Sequence, residues 1–205
     1  MAKRVVLKKG DIVSITRDNH KRYIQYVDND YYQLNGDVIC VFKKIYSSID
    51  NPSVEEIIDD TYDLVLHTFL RAGIKYNGWE KIGHFEPKDV SSVLFFVWHD
   101  DGARDLLFRS CGIPIDSNWN VWTTVKEVTY EINLPEGICM PGFVYAPRNI
   151  EEMVFGILPL VHRNTVKQII ARGQPIPDIA TYKVSTLVSN TPQNSDQRYA
   201  EKNEC

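Results

Sequence analysis

At 205 residues and 43% hydrophobic, the chain is long enough to bury a substantial core without disulfide or metal staples. A net charge of −4 argues against a dedicated nucleic-acid binder, whose affinity comes from clustered Lys and Arg neutralising phosphates. No apolar stretch approaches the length of a bilayer span, and Met1-Ala2-Lys3-Arg4 runs into a mixed segment without a signal-peptide core, so no membrane association and a cytoplasmic location are expected.

Val5 to Leu7 and Asp11 to Thr16 read as short strands separated by the turn Lys8-Lys9-Gly10. Asp18-Asn19-His20 supplies the next turn, where Asx side chains bond the local backbone. Arg22 to Leu34 alternates aromatic and polar residues, and a break near Asp28 to Asp30 suits a bulge. Asn35-Gly36 signals a hairpin into Val38-Ile39-Cys40-Val41-Phe42, apolar throughout and therefore expected as a central strand. Asn51-Pro52-Ser53 introduces one or two helical turns over Val54 to Asp60. Tyr62 to Leu70, Trp79 to Phe85 and Ser91 to Trp98 read as strands, with Ala72-Gly73 and Asn77-Gly78 bracketing a tight segment between the first two.

Val121 to Ile132, rich in β-branched and aromatic residues, reads as a further strand. Asn149 is the expected N-cap of a helix over Ile150 to Ile157, with Glu151 and Glu152 complementing its dipole. His162 to Arg172 has a helical stripe closed by Gly173, and Thr181 to Val188 reads as a last strand. The polar stretch from Asn190 to Cys205 reads as a disordered tail. The expected fold is mainly β (α+β): a small, strongly bent, SH3-like β-barrel sheet with a C-terminal extension carrying one or two helices. Residues 1–189 would form a single domain, a barrel-like core over about 1–98 with an elaborated lobe over about 99–189.

Residues tested for chemistry yield no catalytic, cofactor or metal motif. His99-Asp100-Asp101 lacks a second ligand-bearing segment and stands where turn residues are expected. His67 and His84 are isolated on predicted strands, and Cys40 sits in an apolar run that makes a thiol inert. The four cysteines, Cys40, Cys111, Cys139 and Cys205, have no C-x-x-C pair, which favours reduced thiols. Trp119 and Trp122, beside Asn118 and Asn120, could stack on a base or sugar, but such residues more often fill a core edge. No G-x-S-x-G elbow, phosphate-cradling loop or dinucleotide fingerprint exists. An enzyme would have to join two of His67, His84 and Cys111 in one pocket.

Charge is segregated. Met1 to Arg22 holds seven basic and two acidic residues, whereas Ser47 to Asp63 holds six acids and no base, a pattern that steers partners of opposite sign or simply marks a solvated face. The acids are Asp50, Glu55, Glu56, Asp59, Asp60 and Asp63.

Gly10-Asp11-Ile12, the aromatic strand Tyr23-Ile24-Gln25-Tyr26-Val27 and the later Trp79-Glu80-Lys81-Ile82-Gly83 resemble the bacterial immunity protein 26 family over about residues 1 to 90. The resemblance implies a small, mainly β protein of a polymorphic toxin system that binds and neutralises a cognate toxin without catalysis. Many such toxins are nucleases with basic active sites, which an acidic face reaches quickly and covers. The six acids are the candidate face, with Tyr31, Tyr32 and Tyr62 as aromatic anchors. A second reading, a nucleic-acid or nucleoprotein-associated β-barrel module, rests on the basic N-terminal segment and the two tryptophans.

Overall fold

The computed structural model describes residues 5–98, 119–133 and 139–157. The chain forms β1 (Asp11–Arg17), β2 (His20–Asp30), β3 (Gly36–Phe42), β4 (Tyr46–Ser47), α1 (Val54–Ile58), β5 (Tyr62–Thr68), α2 (Leu70–Tyr76) and β6 (Glu80–His84). It continues with β7 (Leu94–Trp98), β8 (Trp119–Thr123), β9 (Lys126–Glu131), β10 (Cys139–Pro141), β11 (Val144–Tyr145) and α3 (Pro147–Val154). Seven strands make one sheet in the order β11-β5-β3-β2-β1-β6, with β4 paired to β2; the other four make a second sheet, β10-β7-β8-β9. The fold is mainly β, as composition and patterning predict. The barrel does not close: β6 and β11 stand at opposite ends of the larger sheet.

Local sequence explains most of the larger sheet. Asp18, in the left-handed region at φ 52°, turns β1 into β2. Val27 is the extra residue where the β2–β3 register slips between Tyr26 and Asp28, just before the predicted break. Asn35 does not sit at the centre of a two-residue hairpin. It closes a longer loop at φ 48°, and Asp30 organises that loop by accepting the backbone N–H groups of Tyr32 and Gln33, each at 3.0 Å. β3 lies between β2 and β5, and its apolar run from Val38 to Phe42 is buried throughout, on both faces of the sheet.

Several elements depart from their sequence expectations. Val5 to Leu7 forms no strand. β5 ends at Thr68, and Leu70 opens a helix where only a tight segment was expected. Gly73 makes that helix useful: a Cβ there would lie 2.2 Å from the Trp79 ring, so the indole packs directly on the α2 backbone. The stretch from 121 to 132 is not one strand but part of a hairpin, β8 and β9, whose turn is held by the Val125 N–H donating to Thr123 Oγ1 at 3.3 Å. α3 starts at Pro147 with Ala146 as N-cap, not at Asn149, because proline is preorganised for the first helical position. Glu151 and Glu152 consequently fall beyond the first turn. Glu151 accepts the Trp79 indole N–H at 2.8 Å, and Glu152 lies 3.9 Å from Arg17 and 3.7 Å from Arg148.

The chain passes between the sheets through β10 and β11, each paired in parallel, to β7 and β5 respectively. Gly142 permits this: a Cβ there would fall 1.9 Å from Trp122 Cη2. The predicted helix over His162 to Arg172, the strand over Thr181 to Val188 and the tail from Asn190 lie outside the described residues, as do Cys111, Cys205 and His99-Asp100-Asp101. Among the described residues no helix is long and apolar enough to cross a membrane.

Candidate functional site

The acidic segment folds around α1. Ser53 Oγ accepts the Glu56 N–H at 3.2 Å while Glu56 Oε2 accepts the Ser53 N–H at 2.8 Å, a reciprocal cap that fixes the start of a short helix. Ile57 is buried and Val54 lies against Gly83 of β6, so the helix is docked on the sheet edge. This arrangement divides the six carboxylates. Asp50 accepts the Ser47 N–H at 3.0 Å, and Asp60 accepts those of Lys44 and Thr61 at 2.6 and 2.8 Å. Asp63 forms an ion pair with Arg22. Glu55 and Asp59 are exposed and form no ion pair among the described residues, and Glu56 joins them with the oxygen its cap leaves free.

Space also brings bases to this face that the linear sequence keeps away. Lys21 Nζ donates to the Asp50 carbonyl at 2.7 Å, and Lys88 Nζ reaches the Asp60 carbonyl at 3.5 Å and stands 5.4 Å over the Tyr62 ring. The open acidic surface therefore narrows to the outer side of α1.

The aromatic anchors are not gathered around it. Tyr62 is only 2% exposed, and its hydroxyl donates to Gln25 Oε1, so it is a core residue and not a contact residue. Burial pushes its phenol above the ordinary tyrosine range. Tyr31 and Tyr32 are exposed, at 76% and 46%, in the β2–β3 loop. That loop lies beside the Asp37–Thr68 end of the β3–β5 ladder, whereas the acids adjoin its Phe42–Tyr62 end. Six strand steps separate the two ends, about 20 Å at roughly 3.3 Å per residue.

Three polar residues that the sequence reading passed over hold the interior. Arg22, only 6% exposed at its side chain, donates to the carbonyls of Phe42 at 2.8 Å, Lys43 at 3.2 Å and Val154, as well as to Asp63. It thus joins β2, β3, β5 and α3 through one guanidinium. Asp30, fully buried, accepts His67 Nε2–H at 3.0 Å and Trp122 Nε1–H at 2.6 Å through Oδ2, besides its two backbone donors on Oδ1. Burial pushes this carboxyl up, yet the His67, Gln33 and Trp122 donors hold it below the ordinary aspartate range. Asp11, also fully buried, accepts Lys81 Nζ–H at 2.7 Å and the Lys8 N–H at 2.8 Å, with His84 Nδ1 at 3.1 Å. Its carboxyl is likewise raised by burial and brought below the ordinary value by Lys81, Lys8 and His84.

These contacts settle the placement of the histidines. His67 is buried against Phe95, ring centroids 4.3 Å apart, and its Nδ1 has no hydrogen-bond partner among the described residues. His84 stands half-exposed on β6, four strands away in the sheet. Cys40 is buried, and desolvation drives its thiol far above the ordinary range. The structure keeps the two histidines apart, and Cys111 lies outside the described residues. A cleft of about 250 Å³ near the β1–β2 turn is lined by Arg17, Asp18, His20, Ile45, Phe155 and Ile157, and holds neither His67 nor His84. Trp119 and Trp122 are 0% and 1% exposed, core residues with no face free for stacking on a base. No sequence signal links Asp30 to Trp122, which lie 92 residues apart.

The three segments that carry the family resemblance form neighbouring strands, with β1 flanked by β2 and β6. No protein family, curated protein or solved structure matches the chain.

Proposed function

We propose that this protein is a non-catalytic, cytoplasmic immunity protein that binds and neutralises a cognate bacterial toxin, with a nuclease as the class its acidic surface suits. The observation that carries the reading is the outer side of α1, where Glu55, Glu56 and Asp59 face solvent on a capped, docked helix. A rigid array of uncompensated carboxylates accelerates association with a basic surface and imposes little ordering cost on binding. The adjacency of the β2, β1 and β6 segments supports the family resemblance, since all three belong to one structural unit. Tyr31 and Tyr32 serve as a second, separate contact only for a partner large enough to reach along the sheet.

Co-expression with the polypeptide encoded immediately upstream tests this reading. The expected result is a co-purifying complex and restored growth, with association weakened by Glu55→Lys/Asp59→Lys and by added salt. Absence of both complex and rescue overturns it.

A further inference from the structure

The chain contains two Asn-Gly steps, Asn35-Gly36 and Asn77-Gly78, and the fold treats them very differently. An Asn-Gly step is intrinsically reactive because glycine, without a Cβ, lets its backbone nitrogen approach the preceding asparagine side chain. Gly36 is buried, is paired with Asp30 in the β2–β3 ladder and lies against Val144 and His67. Its nitrogen cannot turn towards the Asn35 side chain without opening the ladder. Asn77 and Gly78 are both exposed, just past the end of α2, and among the described residues nothing lies within 4 Å of the Gly78 Cβ position.

We propose that Asn77 is a site of spontaneous deamidation and isoaspartate formation, and that Asn35 is protected by its strand. The Gly78 backbone nitrogen attacks Asn77 Cγ and loses its proton as the new C–N bond forms. The Cγ–Nδ2 bond breaks and ammonia departs, leaving a cyclic imide. Water then opens either imide carbonyl, giving aspartate or, with the main chain rerouted through the side chain, isoaspartate. No oxidant or cofactor takes part.

The surroundings turn this chemistry into a structural event. The Asn77 and Trp79 N–H groups both donate to the Gly73 carbonyl, at 2.9 and 3.3 Å. The Trp79 indole packs on Gly73 and donates to Glu151 of α3. A carboxylate at position 77 opposes the negative end of the α2 dipole, and the isoaspartate product adds a backbone atom between the helix and the indole that clamps it to α3. Asn77 is thus an ageing site whose modification reaches Trp79.

The experiment is incubation of the full chain in mildly alkaline buffer, followed by peptide mapping and enzymatic isoaspartate detection. Conversion at Asn77 is expected to exceed that at Asn35 by about tenfold or more, the ratio set by the local opening that each site requires. It should rise with pH and be abolished at that position by Asn77→Gln. Tryptophan emission, to which Trp79 contributes as one of four, should drift in the parent chain, hold steady in Asn77→Gln, and lose its drift when Trp79 is replaced by Phe. Equal conversion at the two sites overturns the proposal. So does an unmodified Asn77 under conditions in which a free peptide of residues 74–81 converts.

Discussion

Asp30 and Asp11 are the same solution used in two different places. Each is a fully buried carboxylate that accepts a histidine, a second side-chain donor and the backbone. At the inter-sheet joint both side-chain partners of Asp30 are enclosed: His67 is 0% exposed and Trp122 1%. At the sheet edge the partners of Asp11 reach in from solvent, the Lys81 side chain being 40% exposed and that of His84 50%. The comparison teaches that burial of the acceptor alone does not set the cost of losing it; what matters is whether the abandoned donors can return to water.

The largest effect is therefore expected from Asp30→Ala. It strands His67 and the Trp122 indole inside the protein and removes the acceptor that holds the Tyr32 and Gln33 N–H groups of the exposed loop, and should cost about 3–5 kcal/mol in denaturant unfolding. A loss equal to that of Asp11→Ala would break the comparison. Asp11→Ala should cost about 1–3 kcal/mol, because the Lys81 and His84 side chains rehydrate and only the Lys8 N–H is left behind.

Acid titration sharpens the same contrast. Both carboxyls lie below their ordinary value in the folded chain, so the stability they contribute is fully present above the unfolded aspartate pKa, about 3.9, and is lost as pH falls through their folded values. Asp37, raised by burial against the Leu70 N–H and Arg71 that favour its charge, acts in the opposite sense and is relieved by protonation. Melting curves across this range should show a shallower acid limb in Asp30→Asn than in the parent, and an intermediate one in Asp11→Asn. Unchanged limbs in both would contradict the assignment. The smallest stability effect is expected from Glu55→Lys and Asp59→Lys, within about 0.5 kcal/mol, since neither carboxylate has an ion-pair partner among the described residues. A larger loss would show that α1 depends on these charges and is not a free contact surface.

Much of the larger sheet was legible in the chain because its signals are local. Alternation marked β1 and β2, the unbroken apolar run marked β3, and Asn51-Pro52-Ser53 marked the start of α1, whose reciprocal Ser53–Glu56 cap only the structure showed. The hairpin inside 121–132 was missed because Thr124-Val125 carries none of the usual turn residues, and its turn rests on one Thr123 hydroxyl. The candidate site was legible only in part. A run of acids is visible in sequence, but which of them are occupied depends on Arg22, on the Ser47 and Lys44 backbones, and on the reach of Lys21 and Lys88. Tyr62 resembled its neighbours Tyr31 and Tyr32 in type and differed only in its place on β5.

By itself the sequence determined the mainly β class, the order of the early strands, the short helix after Pro52 and the acidity around it, all properties of near neighbours along the chain. Only the tertiary structure decided that the sheet stays open and that the two histidines lie four strands apart. It also decided that Trp122 belongs to Asp30 and that just one side of α1 remains free. These outcomes depend on contacts between residues tens of positions apart, such as Arg22 with Val154 and Asp30 with Trp122. Such pairings are selected by burial and by the need to satisfy every enclosed polar group, and neither demand leaves a mark in the local pattern of residues.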